Sequence, residues 1–310
     1  MRRLLTIAAM LLGVQLQAGS IRISLLTDSY ALQDTLELLK ENGCPAESMA
    51  AFRRAVERYN STPGPDLRMF PRERGGFHGF ESPAQLLAAL PHKLYETRHA
   101  YEFNCFDTVL LLADGQLRTS KRAGEIRGTI LSLRTLPQGT QVVPTTTVAS
   151  AFTNAYADWY LQATRDVLPK RLAEFRPILT TGLFRCLELP AGTDGRLLTN
   201  TTLNALQDGW KQMGFVFPTK AQVVLCHQVN LPQRFLASVH AGLLFPRPRG
   251  FTYLEKAGGS GPFVRLDIQN RDDLVPWLSA IFTGAERQGF THHFVTFNAN
   301  NLVPLTLEGH

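Results

Sequence analysis

The residues best suited to chemistry in this 310-residue chain are a cysteine and a histidine far apart in sequence. Cys105 sits in Tyr101-Glu102-Phe103-Asn104-Cys105-Phe106-Asp107, just ahead of the apolar run Val109-Leu110-Leu111-Leu112-Ala113. Asn104 is a good N-cap, because its side-chain oxygen can accept a backbone N–H of a first turn. Cys105 is therefore expected at the first position of a buried helix. Unpaired amides and the positive end of the helix dipole favour negative charge there. Such a setting favours a thiolate nucleophile, and the same amides can hold the oxyanion of a tetrahedral intermediate. Taken alone, Cys105 is equally compatible with a half-buried inert thiol beside a cap.

His240 lies in Leu236-Ala237-Ser238-Val239-His240-Ala241-Gly242-Leu243-Leu244-Phe245, which reads as a buried strand. Simple alternation puts Leu236, Ser238, His240, Gly242 and Leu244 on one face. The other face is wholly apolar. Small Ser238 and Gly242 are expected to leave room beside the imidazole for a substrate or a facing cysteine. A buried ring needs a polar partner, and a neighbouring backbone group is the ordinary choice.

The following strand offers another. Pro246-Arg247-Pro248-Arg249-Gly250 makes a tight connection to Phe251-Thr252-Tyr253-Leu254-Glu255-Lys256. If Phe245 pairs with Gly250, the register sets His240 opposite Glu255; a slip of one residue sets Lys256 there. A carboxylate beside His240 would hold the ring and stabilise its protonated form. In this reading Cys105 attacks a carbonyl, His240 carries the proton and Glu255 orients His240. The backbone N–H of Cys105, with the side chain of Asn104 or Tyr101, supports the oxyanion. The chemistry requires neither a metal nor an organic cofactor.

Other constellations are weaker. Cys226 and His227 are adjacent on a strand, point to opposite faces and cannot easily share a metal. His292-His293 have no zinc-like spacing around them. Gly258-Gly259-Ser260-Gly261 lacks the Lys-Ser/Thr of a phosphate loop and reads as a flexible turn. There is no Gly-x-Ser-x-Gly element.

The elements that must position these residues change in character along the chain. Leu32 to Leu39 and Met49 to Tyr59 have helical spacing and flank the turn Asn42-Gly43-Cys44-Pro45. They predict an N-terminal helical hairpin at about 30–60. Ser61-Thr62-Pro63-Gly64-Pro65 breaks that pattern and opens an irregular stretch. A helix is expected over Pro83 to Arg98, kinked or split at Pro91, and the Cys105 helix should end at Asp114-Gly115. Ile126 to Leu133 reads as a strand and Ala149 to Val167 as an amphipathic helix. Strands are then expected at Gln222 to Gln228, Phe235 to Phe245, Phe251 to Lys256 and Phe263 to Ile268. A helix over Asp272 to Phe282 and a short strand over His293 to Phe297 close the chain. Helices first and antiparallel strands later predict an α+β fold, as one domain over 19–310.

Composition sets the context. At 44% hydrophobic and 19% charged residues, the chain can bury a sizeable core. Arg2-Arg3, the apolar run Leu4 to Val14 and Leu16-Gln17-Ala18 read as a signal peptide over 1–18, too short to span a bilayer permanently. Without Arg2 and Arg3 the formal charge of +6 falls to 6 − 2 = +4. That excess suits anionic surroundings such as cell-wall polymer or lipid headgroups, and no Lys/Arg stripe with interleaved aromatics points to nucleic acid. After cleavage no integral membrane segment is expected, and the location is periplasmic or secreted. Cys44, Cys105, Cys186 and Cys226 are the only cysteines. With Cys105 a working thiol, at most one bridge forms among the other three, and its pairing stays open.

At these same residues the chain resembles a bacterial family, the domain of unknown function 4300, typical of exported proteins and lipoproteins. The resemblance rests on Phe103-Asn104-Cys105 entering an apolar helix, then His240-Ala241-Gly242-Leu243-Leu244, Tyr253-Leu254-Glu255-Lys256 and Gly261-Pro262-Phe263. His293-Phe294-Val295-Thr296-Phe297-Asn298 is similar to its closing segment, and Leu25-Leu26-Thr27-Asp28 is loosely similar to its opening. Phe106 departs from the basic residue that commonly follows the cysteine there, and no cysteine follows the expected cleavage site. The order of Cys, His and Glu also resembles the NlpC-type cell-wall peptidases and amidases. That likeness implies a papain-like core, with the cysteine on a central helix packed against an antiparallel sheet bearing the histidine. It implies an exported cysteine hydrolase of amide or peptide bonds, acting on a peptide or amide such as a peptidoglycan stem peptide. Asn104, Cys105, His240 and Glu255 carry over; Lys256 has no assigned role. Two other classes fit the same residues. One is a thiol acyltransferase. The other is a non-catalytic envelope binding or assembly protein on the same scaffold, for which Cys105→Ala would change nothing.

Overall fold

The computed structural model describes residues 21–62, 76–89, 104–120, 171–179, 183, 186–188, 198–231, 235–257, 261–280, 292–298 and 300–305. The expected leader, Tyr101, the expected strand over Ile126 to Leu133 and the expected helix over Ala149 to Val167 lie outside these residues. In chain order the elements are β1 (Ile21–Ser24), α1 (Ser29–Glu41), α2 (Ala46–Ser61), β2 (His78–Phe80), α3 (Pro83–Ala89), α4 (Cys105–Leu112), β3 (Arg118–Thr119), α5 (Leu172–Ile178), β4 (Cys186–Glu188) and α6 (Leu198–Gln212). Then follow β5 (Phe215–Val216), β6 (Gln222–Asn230), β7 (Phe235–Pro246), β8 (Phe251–Lys256), β9 (Phe263–Ile268), a 3₁₀ turn (Arg271–Asp273), α7 (Leu274–Ala280), β10 (His292–Phe297) and β11 (Asn300–Pro304). The architecture is α+β, with an antiparallel sheet in the order β11-β10-β6-β7-β8-β9-β1-β2 and β4 added against β7.

The helical hairpin forms where the sequence places it. Asp28 caps α1 by accepting the Tyr30 N–H at 2.8 Å, and α1 buries the apolar stripe Leu32, Leu36 and Leu39. Phe52, Ala55, Val56 and Tyr59 do the same on α2. The hairpin supports α4, because α2 packs on α4 and α4 in turn lies against β7 and β8. Every residue of α4 is buried, including Asp107 and Thr108. The helix that bears Cys105 is thus held on one side by another helix and on the other by the strands that bear His240 and Glu255.

Three differences from simple sequence patterning matter for the site. First, the β7–β8 register sets Glu255 opposite Gly242, not His240, and Phe245 opposite Thr252. Gly250 cannot take a strand position because its φ is +90°. It belongs to the loop, closed by the Arg247 N–H donating to the Gly250 carbonyl at 2.9 Å. A shift of two residues keeps the face, so His240 and Glu255 remain diagonal neighbours on one side. Second, β7 carries a bulge against β6: Cys226 pairs with His240, but His227 pairs with Ser238. Val239 is the extra residue, and the alternation inverts across it. Ser238 therefore faces away from His240. Third, β1 and β2 close the far edge of the sheet and β11 extends the near one, all three unread in sequence, as were α5 and α6.

Candidate active site

The cap of α4 fixes Cys105. Asn104 Oδ1 accepts the N–H groups of Phe106 at 2.8 Å and Asp107 at 3.0 Å, and Asp107 Oδ2 accepts the Asn104 N–H at 3.2 Å. This reciprocal capping box consumes the second and third amides of the helix. The Thr108 N–H enters the helical ladder by bonding the Asn104 carbonyl at 3.1 Å. The Cys105 N–H is the first-turn donor that these bonds leave over. The Asn104 side-chain oxygen is committed to the cap, so any support it gives an oxyanion would come from its amide NH2.

Cys105, His240 and Glu255 come together below the surface, with fractional exposures of 5%, 3% and 1%. The His240 Nε2–H donates to Glu255 Oε2 at 2.6 Å. Cys105 lies near enough for its charge to act on the ring. With Nε2 engaged by the carboxylate, Nδ1 is the ring nitrogen left for the thiol. Burial pulls the His240 pKa down. The negative charges of Cys105 and Glu255, and the hydrogen bond to Glu255, outweigh it and push the ring up to about 10.

Glu255 is a buried carboxylate with three donors. Tyr253 donates its hydroxyl to Oε2 at 2.7 Å, and the Trp277 indole N–H donates to Oε1 at 3.0 Å. An indole nitrogen can only donate, so Oε1 is an acceptor. Neither Tyr253 nor Trp277 was singled out in sequence. Tyr253 had a readable signal, since it lies two residues before Glu255 and so shares its face. Trp277 had none, because it arrives from α7. Gly242 does flank the site, but its space is occupied: a Cβ there would overlap the Tyr253 phenol. The glycine makes room for Tyr253, not for substrate.

Cys226 is directly opposite His240 on β6 and fully buried. Burial first, then the charges of Glu255 and Cys105, push its thiol well above the ordinary range. Cys44 is likewise pushed up to about 12, by burial and then by Asp114. Cys44, Cys105 and Cys226 are free thiols, so none of them supplies the bridge that export had allowed for. Lys256, left without a role by the sequence, is fully buried and donates to the Gly261 carbonyl. Its ammonium lies 4.4 Å from the Tyr59 ring centre and 5.3 Å from that of Phe263, so it fastens the end of β8 to α2.

The expected separation of Cys226 from His227 holds. His227 lies on the opposite face, between the Ser238 hydroxyl (3.0 Å from Nδ1) and the Thr296 hydroxyl (2.9 Å from Nε2). Among the described residues no group of three or more His, Cys, Asp or Glu side chains is arranged to hold a metal ion, and no helix is long and apolar enough to cross a membrane. Comparison with protein-family models, with curated proteins and with solved structures returns no match. The functional reading therefore rests on the site itself.

Proposed function

We propose that the chain is a cysteine hydrolase of amide bonds, with a papain-like core of the NlpC type. One observation carries the reading: a thiol at a helix N-terminus, an imidazole and a triply hydrogen-bonded carboxylate share one buried cluster, with His240 bonded to Glu255 and within electrostatic reach of Cys105. The packing of α4 on the strands that bear His240 and Glu255 supports the core. The basic and apolar leader supports export, and cell-wall peptides are the substrates we propose for it.

In this mechanism the Cys105 thiol passes its proton to His240 as it becomes the nucleophile. The sulfur attacks the carbonyl carbon, an S–C bond forms, and the carbonyl electrons move to oxygen. The oxyanion is met by the Cys105 N–H, the donor left over by the cap. The His240 imidazolium then gives its proton to the amide nitrogen as the C–N bond breaks. Water attacks the resulting thioester, His240 takes its proton, and the C–S bond breaks to release the acid. Glu255 stays ionised throughout and balances the imidazolium. The same thioester passed to an amine or alcohol instead of water would make the protein an acyltransferase.

The test has two parts. Cys105 should be alkylated by iodoacetamide at neutral pH at least tenfold faster than Cys44 or Cys226, whose thiols are held protonated. Wild type, but not Cys105→Ala, should release products from purified cell-wall fragments or simple peptide amides, read by mass. Slow alkylation of Cys105, with identical product profiles for both proteins, would leave the non-catalytic envelope role as the better reading.

A further inference from the structure

We propose that Trp277 is a positioning residue of this site, and that its indole N–H, rather than its bulk, keeps Glu255 turned toward His240. The inference rests on the triad reading above. A glutamate's terminal torsion is broad, so a carboxylate held at one oxygen can still swing. Oε2 already receives two donors, His240 Nε2 at 2.6 Å and the Tyr253 hydroxyl at 2.7 Å. The Trp277 N–H takes Oε1 at 3.0 Å and fixes the second end of the group. The three donors come from three elements, β7, β8 and α7. The plane of the carboxylate is therefore set by the tertiary fold and not by the β7–β8 register alone. Trp277 and Glu255 are each 1% exposed, so the bond lies away from bulk solvent. Its loss would leave a buried acceptor unsatisfied.

Trp277 touches neither Cys105 nor substrate in this account; it acts through Glu255. Among the described residues, the ionisable groups around His240 are Cys105 from α4, Cys226 from β6, and Glu255 and Tyr253 from β8. Loosening Glu255 removes one of the two partners that sustain the charged ring. The measurement is the titration of the His240 imidazole by NMR in the intact chain, with the alkylation rate of Cys105 by iodoacetamide at pH 7 alongside. Two variants are compared with wild type. Trp277→Phe removes the N–H and some volume. Benzothienylalanine incorporated at 277 replaces the N–H by sulfur at nearly constant shape.

Both variants should lower the His240 titration midpoint by one pH unit or more and slow Cys105 alkylation severalfold. The isosteric variant should keep its thermal midpoint within a few degrees. Should that variant titrate and alkylate like wild type, Trp277 is only packing and the proposal is wrong. These readouts need no substrate, so they separate from the hydrolase reading. A shifted titration in a protein that cuts no amide would retain the positioning role and discard the hydrolase.

Discussion

His240 and His227 lie on adjacent strands of one sheet, both buried, and their titrations are pushed in opposite directions. His240 is pushed up to about 10, while burial carries His227 down to about 3. Burial opposes the charged ring in both, so burial is not what separates them. The difference is the neighbour. His227 meets two hydroxyls, from Ser238 and Thr296, and the Trp210 ring at 6.3 Å between centroids. Hydroxyls can satisfy a neutral ring but cannot balance a positive one. His240 meets a carboxylate and a thiol. One face of the sheet therefore carries a histidine built to be charged, and the other a histidine built to stay neutral. The bulge at Val239 allows this, because it turns Ser238 toward His227 and leaves the His240 face to Cys105 and Glu255.

The strongest way to break this comparison is to make the two neighbours alike. Glu255→Gln replaces the carboxylate by a neutral amide of the same shape. Burial should then govern His240 as it governs His227, and its titration should fall below neutral. Hydrolysis at pH 7 should drop by roughly 10³- to 10⁴-fold, as when a triad acid is neutralised without loss of geometry. The linkage is a further signature. The folded pKa of His240 lies above its unfolded value of about 6.5. Its contribution to stability is therefore fully present below pH 6.5 and lost as the pH rises toward 10. Urea unfolding of wild type across that window should show the loss, and Glu255→Gln should not. A His240 ring that still titrates near 10 in the variant would mean that Cys105 alone sustains its charge.

A smaller effect is expected from Gly242, and it bears on what the sequence could reveal. The strands β6 to β9, the helical hairpin and the cap at Asn104 are all legible, because each follows from local chemistry: apolar alternation, helical spacing, an Asn before an apolar run. The pairing of Glu255 with the His240 face is also legible, for a reason sturdier than the register that suggested it. Any shift by two keeps a side chain on its face, so the expected register was wrong and the expected neighbour right. The role of Gly242 was not legible. A glycine beside a histidine reads as an opening, and only tertiary packing reveals the Tyr253 phenol lying over it. The bulge at Val239 likewise left no mark in the alternation. Gly242→Ala should displace the phenol from Glu255, cost about 1–3 kcal/mol through overpacking, and lower activity about tenfold. The double variant Gly242→Ala/Tyr253→Leu removes the ring that the new methyl group meets and should recover part of the stability but not the hydrogen bond. Gly242→Ala with unchanged stability and rate would mean that the ring moves aside freely and that its bond to Glu255 contributes little.

The mildest perturbation, His227→Gln, tests the neutral half of the comparison. Gln can keep one hydroxyl partner but cannot take up a proton. At pH 7 the variant should lose about 1–2 kcal/mol from imperfect replacement of a buried, hydrogen-bonded ring, and hydrolysis should stay within about twofold of wild type. The informative readout is acid stability. In wild type the folded pKa of about 3 lies below the unfolded value, so the unfolded chain binds one more proton than the folded one between about pH 6.5 and 3. Stability from His227 is present above that window and is lost as the pH falls, by up to about 1.4 kcal/mol for each pH unit. His293 contributes in the same sense, since burial and then the charge of His292 lower it to about 4. His227→Gln should therefore make the acid loss shallower without abolishing it. An acid limb as steep as that of wild type would show that His227 is already protonated in the folded protein, and the two faces of the sheet would differ less than their neighbours imply.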